Sequence, residues 1–126
     1  MAIEKVVYEA KHDVQTNDAR TITTLFDGDI SDFSCEQIRI AHIIKGGWMG
    51  NHWREYPELY GVIGTATFVL EDINAKQRKK YTLDTGDRLF VPPRVALKVR
   101  GKVGTVIIVC ASKADRSTGT HAYQVD

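Results

Sequence analysis

The sequence predicts an all-β chain, one small barrel spanning residues 1–126. Three observations carry that expectation. Short runs rich in Val, Ile and Thr recur along the chain, as half-buried pleated surfaces favour. Turn residues separate these runs at intervals of roughly ten positions, the cadence of a sandwich or barrel. No window longer than about ten residues keeps a helical period.

In chain order, strands are expected at residues 5–8, 20–25, 36–44, 58–62, 65–71, 79–83, 88–91, 96–100 and 105–111. The best helical candidate, residues 4–14, is rich in β-branched residues and reads as a strand running into a loop. Turns are expected at Asp27-Gly28-Asp29, Gly46-Gly47, 61–64, 72–75, Asp84-Thr85-Gly86-Asp87, Pro92-Pro93 and 101–104. Along 65–70, Ala66, Phe68 and Leu70 share one face and the threonines take the other. Val106-Ile107-Ile108-Val109 is apolar on both faces, which implies burial between sheets or at a subunit interface, and so a homodimer. Residues 112–126 read as a polar tail packing across the barrel or a partner.

A chain of 126 residues is long enough for one self-sufficient core but not two. Formal net charge is +1, from seventeen basic and sixteen acidic residues, so no global field gathers a polyanion and nucleic acid is not an expected partner. The densest basic run, Gln77-Arg78-Lys79-Lys80, reads as a solvated turn. Cys35 and Cys110 lie too far apart in sequence for a Cys-x-x-Cys motif and are too few for a disulfide framework. Cys110 sits in an apolar run and reads as a small buried hydrophobe. The N-terminus has no apolar signal stretch, and nowhere do eighteen apolar residues run together. A cytoplasmic protein without membrane contact is expected.

The segment from Gly50 to Gly64 resembles the first motif of the cupin family, in which two histidines two apart are followed by a glutamate and then a glycine. His52, Glu58 and Gly64 fall in register, and Arg54 occupies the second histidine's place. The segment from Gly86 to Leu97 resembles the second motif: Gly86 and Pro92 match, whereas Arg94 stands for a usual glycine and Leu97 for the third histidine. Residues 18–26 are similar to the opening strand of nucleotide-sugar cupins, the 3,4-ketoisomerases and 3,5-epimerases acting on thymidine-diphosphate 4-keto-6-deoxy sugars. The resemblance implies a double-stranded β-helix, a jelly-roll barrel, with one ligand pocket. The shared glycines and prolines mark turns, so they speak to fold more than to chemistry.

The same resemblance implies which residues do the work. Most cupins with the full motif hold a metal through three histidines and a glutamate, and a stable site needs at least three protein ligands. Here the register supplies only His52 and Glu58, so neither metal nor cofactor is expected. A metal-dependent alternative would recruit His42 and His121 to those two. In a ketoisomerase-like activity, His52 would be the base that removes a proton beside a ketone, since imidazole titrates near neutral pH. The enediolate would need a positive or hydrogen-bonding partner, and Arg54 is the second candidate catalytic residue, with Arg94 as a substitute. Arg39, Arg54, Arg88 and Arg94 are candidates to grip a diphosphate. Trp48, Trp53, Tyr56 and Tyr60 are candidates to line a sugar or base pocket. Glu58, costly to bury alone, is expected to pair with Arg54 on one strand face in place of the missing metal.

The leading expectation is therefore a small-molecule cupin that isomerises or epimerises a sugar or nucleotide-sugar without metal. The rival from another class is a non-catalytic cupin that senses or stores a ligand, or assists a larger enzyme.

Overall fold

The computed structural model describes residues 1–113 and 119–126. A 3-10 turn, Ala2–Lys5, leads into twelve strands: β1 Val7–Glu9, β2 Val14–Thr16, β3 Thr21–Thr23, β4 Gln37–His42, β5 Met49–Arg54, β6 Glu58–Ile63, β7 Thr65–Asp72, β8 Arg78–Asp84, β9 Arg88–Val91, β10 Val95–Gly101, β11 Val106–Ala111 and β12 Thr120–Ala122. They form two five-stranded sheets, ordered β1-β9-β6-β11-β4 and β12-β5-β10-β7-β8, with β2 and β3 paired as a separate hairpin. All the pairings are antiparallel.

Alternation along each strand builds the core between the sheets. From one sheet Phe68 and Leu70 of β7 and Leu97 and Val99 of β10 face inward; from the other come Tyr60 and Val62 of β6, Leu89 and Val91 of β9, and Ile107 and Val109 of β11. Phe68, Leu70, Leu83 and Leu89 are wholly buried, each side chain contributing about 2 kcal/mol by leaving water. On the far side of the first sheet a smaller cluster, Phe33, Leu59 and Cys110, is covered by the chain between β3 and β4 through Leu25, Phe26 and Ile30.

The expected strands from residue 36 onward recur within one or two positions. The N-terminal expectation shifts: residues 2–5 make the 3-10 turn and pairing begins at Val7. Residues 20–25 are trimmed to β3. Three strands escaped the pattern, β2, β5 and β12. Each is short or polar, and β5 carries Gly50 and Asn51, both poor strand formers. The tail of residues 112–126 pairs in part, as β12, against β5, while its residues 114–118 lie outside the described ones. Among the described residues no helix is long and apolar enough to cross a membrane.

Candidate functional site

An irregularity in β5 aims the side chains of the site. Opposite β10, His52 pairs with Leu97 but Gly50 pairs with Lys98, so Asn51 is an extra residue without a partner. Gly50 and Asn51 both have left-handed backbone, φ 96° and 54°. This is a β-bulge, and it resets the alternation. Met49 and His52, three apart, both face inward, with Arg54 following two residues on. The kink is pinned from outside: Asn51 accepts the Val125 backbone N–H on its side-chain oxygen at 3.0 Å and that of Tyr123 on its carbonyl at 2.9 Å.

Between β5 and β4, an edge strand of the opposite sheet, lies a cavity of about 380 Å³. Its polar wall is His52, Arg39, Arg54 and Tyr60; its apolar wall includes Leu97, Val99, Ile107 and Val109. The size suits a small ligand, and a few convergent polar groups on an apolar lining is the usual make-up of a binding pocket. The Nε2 atom of His52 is buried.

Glu58 organises the polar end. It is 2% exposed and accepts three hydrogen bonds, from Arg39 Nη2 at 2.9 Å, Arg54 Nε at 3.0 Å and Tyr60 Oη at 2.7 Å. Arg54 is held further by its Nη1, which donates to Thr120 Oγ1 at 2.9 Å and Tyr56 Oη at 3.3 Å. The expected Arg54–Glu58 pair is thus present, but not on one strand: Arg54 ends β5, Glu58 opens β6 in the other sheet, and the Glu55-Tyr56-Pro57 turn brings both inward. Burial works against the charge on Arg54, yet the Glu58 carboxylate and the Tyr56 hydrogen bond outweigh it and hold the guanidinium pKa above its ordinary value. Burial, then the negative charge of Glu58, pushes the Tyr60 phenol well above its usual range, so it stays a neutral donor. Among the described residues, two guanidinium groups meet this one carboxylate beside the cavity, and guanidinium forks are suited to gripping anionic oxygens.

Several sequence candidates lie elsewhere. His42 follows Ile38 and Ile40 on the outer side of β4 and is exposed. Trp53 points away from the cavity and stacks on His121, ring centroids 4.2 Å apart, and His121 in turn bonds Glu55 at 2.7 Å. Arg88 is buried on the outer side of β9, where it binds Glu9 at 3.0 Å, both oxygens of Asp29 at 2.6 and 3.2 Å, and the Leu25 carbonyl at 2.9 Å. It clasps β1 and the segment after β3 to the barrel. Arg94, at φ 67°, is an exposed turn residue beside Met1, Ala2 and Lys5. Trp48 also sits outside, with Lys98 and Arg100 each 4.6 Å from its ring centroid. Sequence patterning named these residues but not their faces, which depend on register.

The four-residue metal set is likewise split, His52 and Glu58 at the cavity against His42 and His121 on outer surfaces. Among the described residues, no three His, Cys, Asp or Glu side chains come together in a way that would hold a metal ion. The functional residues that sequence reasoning missed are Asn51 and Thr120. Thr120 had no local signal, since it meets Arg54 only through the β12–β5 pairing.

No protein-family model matches the sequence, and no curated protein matches it. Solved structures do. A 3,4-ketoisomerase from Thermoanaerobacterium thermosaccharolyticum, in complex with TDP-4-keto-6-deoxyglucose, superposes with a TM-score of 0.80 at 15% identity, over 91% of this chain and 85% of that one. A TDP-quinovose 3,4-ketoisomerase from Campylobacter jejuni gives 0.78 at 13% identity, over 94% and 92%. A dTDP-4-dehydrorhamnose 3,5-epimerase from Bacillus anthracis, with TDP and pyrophosphate bound, gives 0.81 at 16% identity, over 95% and 79%. At such identities what is shared is the fold: this chain has the jelly-roll fold of these ketoisomerases and this epimerase.

Proposed function

We propose that the chain is a metal-independent isomerase of a nucleotide-sugar, with a TDP-linked 4-keto-6-deoxy sugar as substrate and His52 as its base. The observation that carries this reading is the placement of His52 by the bulge on the wall of a cavity that Arg39 and Arg54 also line, in a fold shared with enzymes solved with TDP or a TDP-sugar bound. His52 takes the proton from carbon 3, beside the ketone. The electron pair moves into an enediolate, whose charge Arg39 is best placed to balance from the cavity rim, its side chain being 38% exposed. The hydroxyl proton on oxygen 3 passes to oxygen 4, and the same imidazole, its proton exchanged with solvent, protonates carbon 4, leaving the ketone at carbon 3 and a hydroxyl at carbon 4. A single imidazole on one wall suits this one-face transfer, whereas epimerisation needs an acid on the opposite face as well.

We assign Arg54 a positioning role in place of the catalytic one expected of it. Its Nε and Nη1 bond Glu58, Tyr56 and Thr120, which supports a positioning role: it holds Glu58, and through Glu58 it holds Arg39 and Tyr60. That commitment also favours the second reading, a cupin that binds the nucleotide-sugar without transforming it. Incubation with TDP-4-keto-6-deoxyglucose in deuterated water separates the two. Deuterium on the sugar ring that is lost in His52→Asn supports the enzyme, and binding with no exchange leaves the sensor.

The exposed outer isoleucines, Ile38 (62%) and Ile40 (70%) on edge strand β4 and Ile63 (56%) two strands away on β6, support a homodimer through this face. Two free thiols suit a cytoplasmic setting.

A further inference from the structure

Cys35 and Cys110, remote in sequence, come together on the outer side of the first sheet. Cys110 lies on β11 between Val109 and Ala111 and alternates outward, in register with Ile38 of β4. The Glu36 N–H donates to the Ala111 carbonyl at 2.9 Å, which prolongs the β4–β11 pairing and leaves Cys35 just beyond it. The Cys35 thiol turns back to donate to the Gln37 carbonyl at 3.7 Å. Both side chains pack in the small cluster with Phe33 and Leu59.

We propose that Cys35 and Cys110 are a redox-modification site, closing to a reversible intrachain disulfide by exchange with a small disulfide of the oxidised-glutathione class. The half-buried Cys35 is the entry point and Cys110, 5% exposed, is the resolving thiol. The Cys35 thiolate attacks one sulfur of glutathione disulfide and releases one glutathione as thiolate. Cys110 then gives up its proton and attacks the Cys35 sulfur, displacing the second glutathione. Two electrons and two thiol protons leave the pair, and two molecules of glutathione form. Burial, and then the neighbouring Cys35 thiol, pushes Cys110 up to about 12, so it is unreactive alone and acts only once Cys35 carries the activated sulfur. The bond would tie the entry of β4, the edge strand carrying Arg39, to its neighbour β11.

The full chain, purified reduced, is incubated with glutathione disulfide and read by intact mass and thiol titration. The expected product is a monomeric chain lighter by two hydrogens, its free thiols falling from two to none, with a melting temperature raised by about 5 °C and restored by dithiothreitol. Cys35→Ser stays unmodified, whereas Cys110→Ser stops as a stable glutathione adduct on Cys35. Should Cys110→Ser fail to fold, peptide mapping of the oxidised wild type answers the same question. A wild-type product that stops at the glutathione adduct, links two chains, or keeps both thiols overturns the proposal.

Discussion

Tyr60 donates its phenolic hydrogen to Oε1 of Glu58 at 2.7 Å, from a position where burial keeps it neutral. The pair shows how this fold tolerates a wholly buried carboxylate behind the polar wall of a cavity: among the described residues, Arg39, Arg54 and Tyr60 all donate to Glu58. Two of those donors, Arg39 and Arg54, carry charge, so one carboxylate is shared by two cations.

Glu58→Gln keeps the shape and removes the charge. Removing the charge that both arginines share is expected to cost about 2–4 kcal/mol of stability, discounted for the partial exposure of Arg39. Urea denaturation measures it, and an unchanged midpoint with unchanged ligand affinity would remove Glu58 from its central place.

The bulge in β5 has its own test. Gly50 holds φ 96°, and a Cβ there would stand 3.1 Å from the Leu97 carbonyl oxygen. Gly50→Ala is expected to lose about 1–3 kcal/mol and to weaken nucleotide-sugar binding, because His52 and Met49 depend on the reset alternation. Thermal melts and calorimetric titration report the two effects separately.

Asp72 makes the fold acid-sensitive. It is 1% exposed and accepts the backbone N–H groups of Ala75, Ile3 and Asn74 at 3.0, 3.1 and 2.9 Å, and these bonds, that of Ala75 foremost, hold its carboxyl below the usual range. A depressed folded-state pKa contributes stability that is present above the unfolded value, about 3.9, and is lost as pH falls through the folded one. Melting temperature should therefore drop below about pH 4 in the wild type and drop less in Asp72→Ala, which starts lower at neutral pH.

Trp53→Phe and Arg94→Ala change residues that the sequence placed in the pocket and the structure places outside it. Both should leave nucleotide-sugar affinity within about twofold, a difference below 0.5 kcal/mol. A tenfold loss in either would mean that the ligand reaches those outer surfaces.

These residues also mark what was legible in the sequence. Strands such as 65–71 and 105–111 announced themselves through β-branched residues and alternation, because burial of one face demands that pattern. The motif register picked out His52, Arg54 and Glu58 together. It did not reveal that Arg54 and Glu58 sit in opposite sheets, since that depends on the turn at Pro57. It did not set Trp53 or His42 on their outer faces either. For Trp53 the deciding fact is one extra residue, Asn51, in a strand whose polar composition hid it. The Cys35–Cys110 approach was invisible because it depends on how the chain before β4 folds over the outer side of β11, into the cluster of Phe33 and Leu59.

The central claim is that the imidazole of His52 does proton chemistry in the cavity, and one comparison tests it most directly. Wild type and His52→Asn are assayed side by side for conversion of TDP-4-keto-6-deoxyglucose, with affinity for TDP measured on the same samples. The account predicts a fall in kcat of about 10²–10⁴-fold with TDP affinity nearly unchanged. Equal turnover by both proteins would contradict it.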